Sequence, residues 1–234
     1  MSRVSNLPVE ARPAATVMVV RDIGPGPEVL VVTRRSGGFF GGLTAFPGGG
    51  VEDFDDGHLA RAVVTGVHDD LPFRAAALRE LAEETSLAVT TGGVARAPEE
   101  RGEALYRALV GLSMPLSGES LTYVSTWVTP EFAPRRYDTR FYLAIIDGDP
   151  EIRVDRAELV NAGWTTANAA LEMHEAGTWR MFSPTVAHLA WLAGFPTVES
   201  ISSATQGADE SPIGPHEGGV PVQMPGDRIG DEWR

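Results

Sequence analysis

Seven residues, Arg79-Glu80-Leu81-Ala82-Glu83-Glu84-Thr85, constrain this chain more than any other stretch. Read as a helix, they put Glu80, Glu83 and Glu84 at i, i+3 and i+4, so the carboxylates share one face. Leu78, Leu81, Ala82 and Thr85 repeat that spacing on the other side, which is mostly apolar and fits a core. Like charges at i, i+4 destabilise a bare helix by roughly 0.2–0.5 kcal/mol. Concentrating them invites a counter-charge, and a hard divalent cation with oxygen ligands suits carboxylates. Arg79 is spaced to reach Glu83 at i+4 and hold it in position. An acidic face alone is equally the mark of a solvated helix, so the surrounding residues decide between the two readings.

Upstream, Phe46-Pro47-Gly48-Gly49-Gly50-Val51-Glu52 forms a glycine turn after a short apolar strand, Leu43 to Phe46. Glycines there let the backbone approach a metal or phosphates closely. Together with the helix, this stretch resembles the signature of the Nudix hydrolases, G-x5-E-x7-R-E-U-x-E-E-x-G-U, where U is a bulky aliphatic. Gly49 fits the first glycine, and Asp55 stands where the family has its first glutamate. Arg79, Glu80, Leu81, Glu83, Glu84 and Leu87 match the second half. The gap from Asp55 to Arg79 is 16 residues longer than the pattern allows, and Ser86 replaces the final glycine. If Ser86 is left-handed, the missing glycine costs on the order of 1 kcal/mol.

The resemblance implies an α/β/α sandwich with a mixed central β-sheet, the acidic helix packed on it. It also implies hydrolysis of a nucleoside diphosphate linked to another group, with Mg2+ or Mn2+ as cofactor. The metal ligands it implies are Glu83 and Glu84, with Glu80 and the carbonyl near Gly49. Such an ion polarises a phosphate oxygen, activates a water and neutralises charge on the leaving group. A glutamate near the cluster takes the water's proton. Glu80 and Glu158 are both candidates, the latter because it precedes Trp164 in a family-like E-x5-W arrangement. The catalytic set that the resemblance implies is Arg79, Glu80, Glu83 and Glu158.

A second resemblance concerns the substrate. Thr33-Arg34-Arg35-Ser36, Gly42 and Phe46-Pro47-Gly48-Gly49 are similar to the motif of coenzyme A diphosphatases within the family, although the spacer is short and lacks its arginine. Trp127-Val128-Thr129-Pro130 and Arg135-Arg136-Tyr137-Asp138-Thr139-Arg140-Phe141-Tyr142 resemble the branch with the peroxisomal acyl-CoA diphosphatases, which tolerates a long insertion in the motif. The implied substrate is coenzyme A or an acyl-CoA, and the implied substrate-binding residues are Arg34, Arg35, Ser36, Phe46, Arg135 and Arg136. Arginine forks suit the 3′-phosphate and diphosphate of that ligand. ADP-ribose, a nucleotide sugar or NADH are the rival substrates, and a noncatalytic nucleotide or CoA sensor with the same fold is the rival of another class.

The rest of the chain frames this site. Thr16 to Arg21 and Glu28 to Arg35 are near-continuous apolar runs around Ile23-Gly24-Pro25-Gly26-Pro27, the pattern of a hairpin in a sheet covered on both faces. Residues 54–71 are an insertion, expected as a short helix or lid. Helices are expected over Pro72 to Thr85, Pro98 to Leu112, Thr166 to Glu175 and Pro184 to Ala193. Strands are expected over Leu87 to Thr91, Leu121 to Val128 and Thr139 to Ile146, with a further segment starting at Glu158. His188 is expected on a helix surface. The Nudix-like domain should occupy residues 1–195. Residues 196–234 carry seven acids and two arginines among Gly, Pro and Ser, and read as an acidic, disordered tail.

Composition narrows the partners. The chain has no cysteine, which excludes disulfides and thiol catalysis, and all of its basic residues are arginine. A net charge of -13 argues against nonspecific nucleic-acid or anionic-membrane binding. The expected partner is a small nucleotide or CoA-type substrate, bound by a cytoplasmic monomer or homodimer.

Overall fold

Strand β1 (Arg12–Asp22) is the spine of the molecule. In chain order follow β2 (Pro27–Arg34), β3 (Thr44–Ala45), β4 (Gly48–Gly50), α1 (His58–Val63), β5 (Val64–Thr65), α2 (Leu71–Thr85), β6 (Leu87–Thr90) and β7 (Gly93–Arg96). Then come α3 (Glu103–Gly111), β8 (Leu116–Ser117), β9 (Thr122–Val128), β10 (Tyr137–Ile145), β11 (Leu159–Thr166), α4 (Ala167–Glu175), α5 (Ser183–Ala193) and α6 (Val198–Thr205). The computed structural model describes residues 9–37, 41–67, 69–131 and 133–205.

The main sheet runs β11-β2-β1-β10-β9, with β3 on β2 and β4 on β1. β1 pairs parallel with β10 and antiparallel with both β2 and β4, so the sheet is mixed. Alternation along β1 divides the core in two. Ala15, Val17 and Val19 join the α2 side with Leu78, Leu81 and Leu105. Met18 and Val20 face the other layer, built from Leu189 and Trp191 of α5, Ala170 of α4 and Ile201 of α6. Both faces are covered, which is why the strands read as apolar runs, and the architecture is the expected α/β sandwich. A smaller sheet, β5-β8-β6-β7, flanks it.

Several expectations change in detail. The insertion takes the first of its two expected forms, the short helix α1, and not a lid: Ala60, Val63 and Val64 are buried in the α2-side core, α1 packs on α3, and β5 pairs with β8. The helix expected from Pro98 begins only at Glu103, because Gly102 takes φ 56°, ψ -139°, a conformation that favours glycine. Leu112 lies exposed beyond that helix, and Tyr106 takes the inward position instead. Ordered chain also passes residue 195: α6 buries Val198 and Ile201, spaced i, i+3, against the sheet. The rest of the tail, 206–234, lies outside the described residues, as do residues 38–40 between β2 and β3.

His188 is fully buried rather than on a surface. Its Nδ1–H donates to Pro184 O at 2.6 Å, and its Nε2 accepts from Ser125 Oγ at 2.7 Å, so the neutral ring is satisfied at both nitrogens. Phe141 stacks on it with centroids 4.1 Å apart. Burial drives its pKa down to about 4, with the Pro184 carbonyl pulling the other way.

Candidate active site

The acidic face of α2 lies under β4, because β1 carries both: α2 packs on β1, and Gly48, Gly49 and Gly50 pair with Thr16, Ala15 and Ala14. Glu84 is 0% exposed. Its Oε2 accepts the Gly48 N–H at 3.1 Å, and Arg34 Nη2 stands 3.0 Å from Oε1 while donating to Gly48 O at 2.7 Å. The Arg34 contact is an ion pair; Oε1 has no hydrogen-bond partner. Burial pushes the Glu84 carboxyl up to about 8 against the pull of Arg34 and Gly48, and Glu80 adds to the rise. Burial also raises Glu80, opposed by Arg79. A Cβ on Gly49 would meet the Glu80 carboxylate at 2.5 Å, so any larger residue there would have to push that carboxylate aside.

Arg79 is locked beneath these acids. Its Nε and Nη2 donate to Asp55 at 2.9 and 3.0 Å, Nη2 donates to Gly50 O at 2.9 Å, and Nη1 donates to Glu80 at 2.7 Å. Burial works against its charge, but Asp55, Glu80 and Glu83 outweigh it and hold the pKa high. The expected Arg79–Glu83 link exists only at 3.5 Å. Glu83 is held instead by Gly102, whose N–H donates to Oε1 at 2.8 Å. Asp55, placed 24 residues before Arg79 in sequence, also accepts from Tyr106 Oη at 2.6 Å.

The remaining sequence candidates divide. Arg34 is at the site. Glu158 stands at its rim, its carboxylate 3.0 Å from Arg101 Nη1. Arg35 turns aside to donate to Arg156 O at 2.7 Å, and with Ser36 and Arg156 it lines a cavity of about 350 Å³. Phe46 is no substrate wall: it is buried in the core beside His188. Arg136 is structural too, its Nε and Nη1 donating to the carbonyls of Thr129 and Val9 at 2.9 Å, because strand ends need their free carbonyls capped. Its neighbour Arg135 is exposed. Another cavity, of about 340 Å³, opens at the other end of β2 beside Glu28, Thr166 and Phe195, and holds none of the site residues.

Sequence reading missed Arg101, Gly102, Tyr106 and Asp155. Arg101 contacts Asp155, Glu158 and Glu83 at 2.6, 3.0 and 4.0 Å. Only Gly102 carried a signal, a glycine inside an apparent helix; the other contacts depend on tertiary structure.

The acid cluster fits a divalent cation. Its donors are hard oxygens, and Glu84, buried and raised in pKa despite the Arg34 ion pair, keeps one oxygen without a hydrogen bond that a further cation would satisfy. Among the described residues, however, no three His, Asp or Glu side chains converge as a ready-made cage. Each acid is held by its own partner: Glu80 by Arg79, Glu83 by Gly102, Glu84 by Gly48 and Arg34.

A mixed sheet between two helical layers, with a buried glutamate helix under a glycine strand, defines an α/β sandwich with an acidic cleft at the edge of its central strand. The NUDIX domain model matches residues 11–184, and the chain belongs to that family, whose hydrolases act on phosphoric anhydrides. It is similar to a crystal structure of a NUDIX hydrolase from Alicyclobacillus acidocaldarius, at 32% identity and TM-score 0.71, over 83% of this chain and 96% of that one. It is also 28% identical over 174 residues to the Caenorhabditis elegans protein named "Putative nudix hydrolase 7". That match covers 70% of this chain and 55% of the relative, so the chain spans about half the relative's length. No described helix is long and apolar enough to cross a membrane.

Proposed function

We propose that this protein hydrolyses the phosphoanhydride of a nucleoside diphosphate linked to a second group, with Mg2+ or Mn2+ held by Glu80, Glu83, Glu84 and the Gly49 carbonyl. The observation that carries this reading is Glu84, a fully buried carboxylate with one oxygen lacking a hydrogen bond, beside Glu80 and directly under the glycine strand. A bound divalent ion would polarise a phosphate oxygen and lower the pKa of a water. Arg79 positions Glu80, and Gly102 positions Glu83. Glu80 and Glu158 remain the two candidates for the base. Glu158 is the more accessible of them, its side chain 47% exposed against 15% for Glu80.

The substrate we favour is coenzyme A or an acyl-CoA, giving 3′,5′-ADP and an (acyl-)4′-phosphopantetheine. Arg35, Ser36 and Arg156 support it, because their shared cavity lies where β2 leaves the site and offers basic groups for a further phosphate. ADP-ribose, a nucleotide sugar and NADH lack that group and are the rivals. A noncatalytic sensor is disfavoured by the retention of Glu80, Glu83 and Glu84.

The test is a hydrolysis panel of CoA, acyl-CoA, dephospho-CoA, ADP-ribose and NADH with Mg2+ or Mn2+, on wild type, Glu83→Gln and Glu84→Gln. Turnover should fall in both variants by at least the roughly 10–100-fold that loss of an outer-shell partner of a metal ligand costs, while the metal-free Tm holds or rises. Unchanged turnover in both would remove the metal-helix reading. Equal kcat/KM for CoA and dephospho-CoA would remove the further-phosphate contact, and faster ADP-ribose hydrolysis would move the assignment to that rival.

A further inference from the structure

Arg101 belongs to no part of the motif, yet it faces the site. It lies in the connection from β7 to α3, next to Gly102, whose N–H ties this backbone to Glu83. Its guanidinium meets three carboxylates: Asp155 at 2.6 Å, Glu158 at 3.0 Å and Glu83 at 4.0 Å. Unlike Arg79, whose side chain is 4% exposed, Arg101 is 40% exposed. Arg79 cannot leave its place; Arg101 can.

Its partners also differ in kind. Asp155 is built into the frame: its N–H donates to Glu84 O at 3.1 Å, its carbonyl accepts from Leu159 N–H at 2.9 Å, and its Oδ1 accepts from Ala157 N–H at 2.9 Å. The free oxygen, Oδ2, is the one that meets Arg101. Glu83 and Glu158, in contrast, are groups that the proposed function uses. Once they are engaged elsewhere, Arg101 loses two counter-charges and keeps one fixed pivot. An exposed guanidinium fork beside a cation-loaded acid cluster is matched by the paired oxygens of a phosphate.

We propose that Arg101 is a substrate-binding residue which leaves Glu83 and Glu158 for the diphosphate of the bound nucleotide, turning on Asp155. The proposal rests on the function above and deepens it. In the free protein Arg101 neutralises the acids; in the complex it neutralises the phosphates. Its loss should therefore act oppositely on the two ligands, since it competes with the metal and attracts the diphosphate.

The experiment uses the full chain and two calorimetric titrations, Mn2+ alone and then α,β-methylene-ADP, a non-hydrolysable diphosphate, on the Mn2+-loaded protein. Arg101→Ala should bind Mn2+ at least as tightly as wild type and bind α,β-methylene-ADP about tenfold to a hundredfold more weakly, the scale of a charge-assisted hydrogen bond. Arg101→Lys, which keeps the charge but not the fork, should recover part of the loss. Diphosphate affinity within twofold of wild type in Arg101→Ala would overturn the proposal. So would parallel weakening of Mn2+ and diphosphate, the mark of a residue that only positions Glu83. Failure of the wild-type protein to bind Mn2+ would instead remove the function reading, and this proposal with it.

Discussion

Asp55→Asn is the perturbation with the clearest arithmetic. Each carboxylate oxygen of Asp55 accepts two bonds: Oδ1 from Arg79 Nε and Tyr106 Oη, Oδ2 from Arg79 Nη2 and the Glu52 N–H. Whichever way an asparagine amide turns, its NH2 confronts an Arg79 donor, and the hydroxyl of Tyr106 is the one partner able to reverse its role. The substitution therefore loses an Arg79 bond in either orientation, and with it the charge opposite a buried guanidinium. Breaking a buried ion pair from one side costs about 3–5 kcal/mol. Glu80, which keeps its 2.7 Å contact with Arg79, partly offsets the loss, which places the expectation near the lower end. Tyr106→Phe removes one bond to a charged acceptor and should cost about 1.5 kcal/mol. Urea unfolding of the metal-free proteins at neutral pH measures both, provided the slope against denaturant is unchanged. An Asp55→Asn protein within 1 kcal/mol of wild type, or a Tyr106→Phe variant as unstable as it, would refute the assignment of Asp55 as the anchor of Arg79.

Two further outcomes concern stability alone. Ser86, at φ 59°, ψ 20°, ends α2 in the left-handed region, so Ser86→Gly should stabilise the fold by roughly 0.5–1 kcal/mol and raise Tm by a few degrees; a lower Tm would show that the Ser86 Oγ bond to Arg153 O, 3.3 Å long, matters more than the backbone. His188, depressed to about 4 by burial, stays neutral while the unfolded chain protonates near 6.5, so its contribution is whole above pH 6.5 and erodes as pH falls toward 4, by about 1.4 kcal/mol per unit. Subtracting the unfolding curve of His188→Gln from wild type should isolate that slope, and a difference independent of pH would disprove it.

What could be read from the sequence follows the range of the interactions involved. β1, β2, β10 and α2 were legible because their burial is periodic and local: an apolar run for a strand covered twice, i, i+3, i+4 for the helix. α6 carried the same kind of signal in Val198 and Ile201, but the Gly, Pro and acidic residues after it masked two apolar positions. Phe46 was misplaced because a short motif says which residues stand together, not which way a ring points from a strand end. His188 was misplaced because its polarity argues for water until Ser125 and the Pro184 carbonyl, 63 and 4 residues away in sequence, are seen to satisfy it. For the same reason the acidic face was legible on α2, while Arg101 and Asp155, which complete its electrostatics, were not.

The insertion offers the strongest link between sequence oddity and site. Splitting Asp55 from Arg79 should weaken a motif whose halves must meet, yet the two side chains are paired at 2.9 and 3.0 Å. The tight turn at Asp53–Asp56 packs on α2, so the extra residues leave after the pair is made. They are then used: α1 lies on α3, and β5 adds a strand to the small sheet. At the base of the insertion, Phe54 stands edge-on to Tyr106 with centroids 6.3 Å apart, and its ring is 3.5 Å from where a Gly102 Cβ would be. Phe54 thus seats the start of α3, and that start delivers Tyr106 to Asp55, the Gly102 N–H to Glu83 and Arg101 to the rim. The interruption therefore does not dilute the acid cluster; through α1 it packs on α3, the helix that starts beside Arg101, the one exposed cation among the described residues that faces Glu83, Asp155 and Glu158 together.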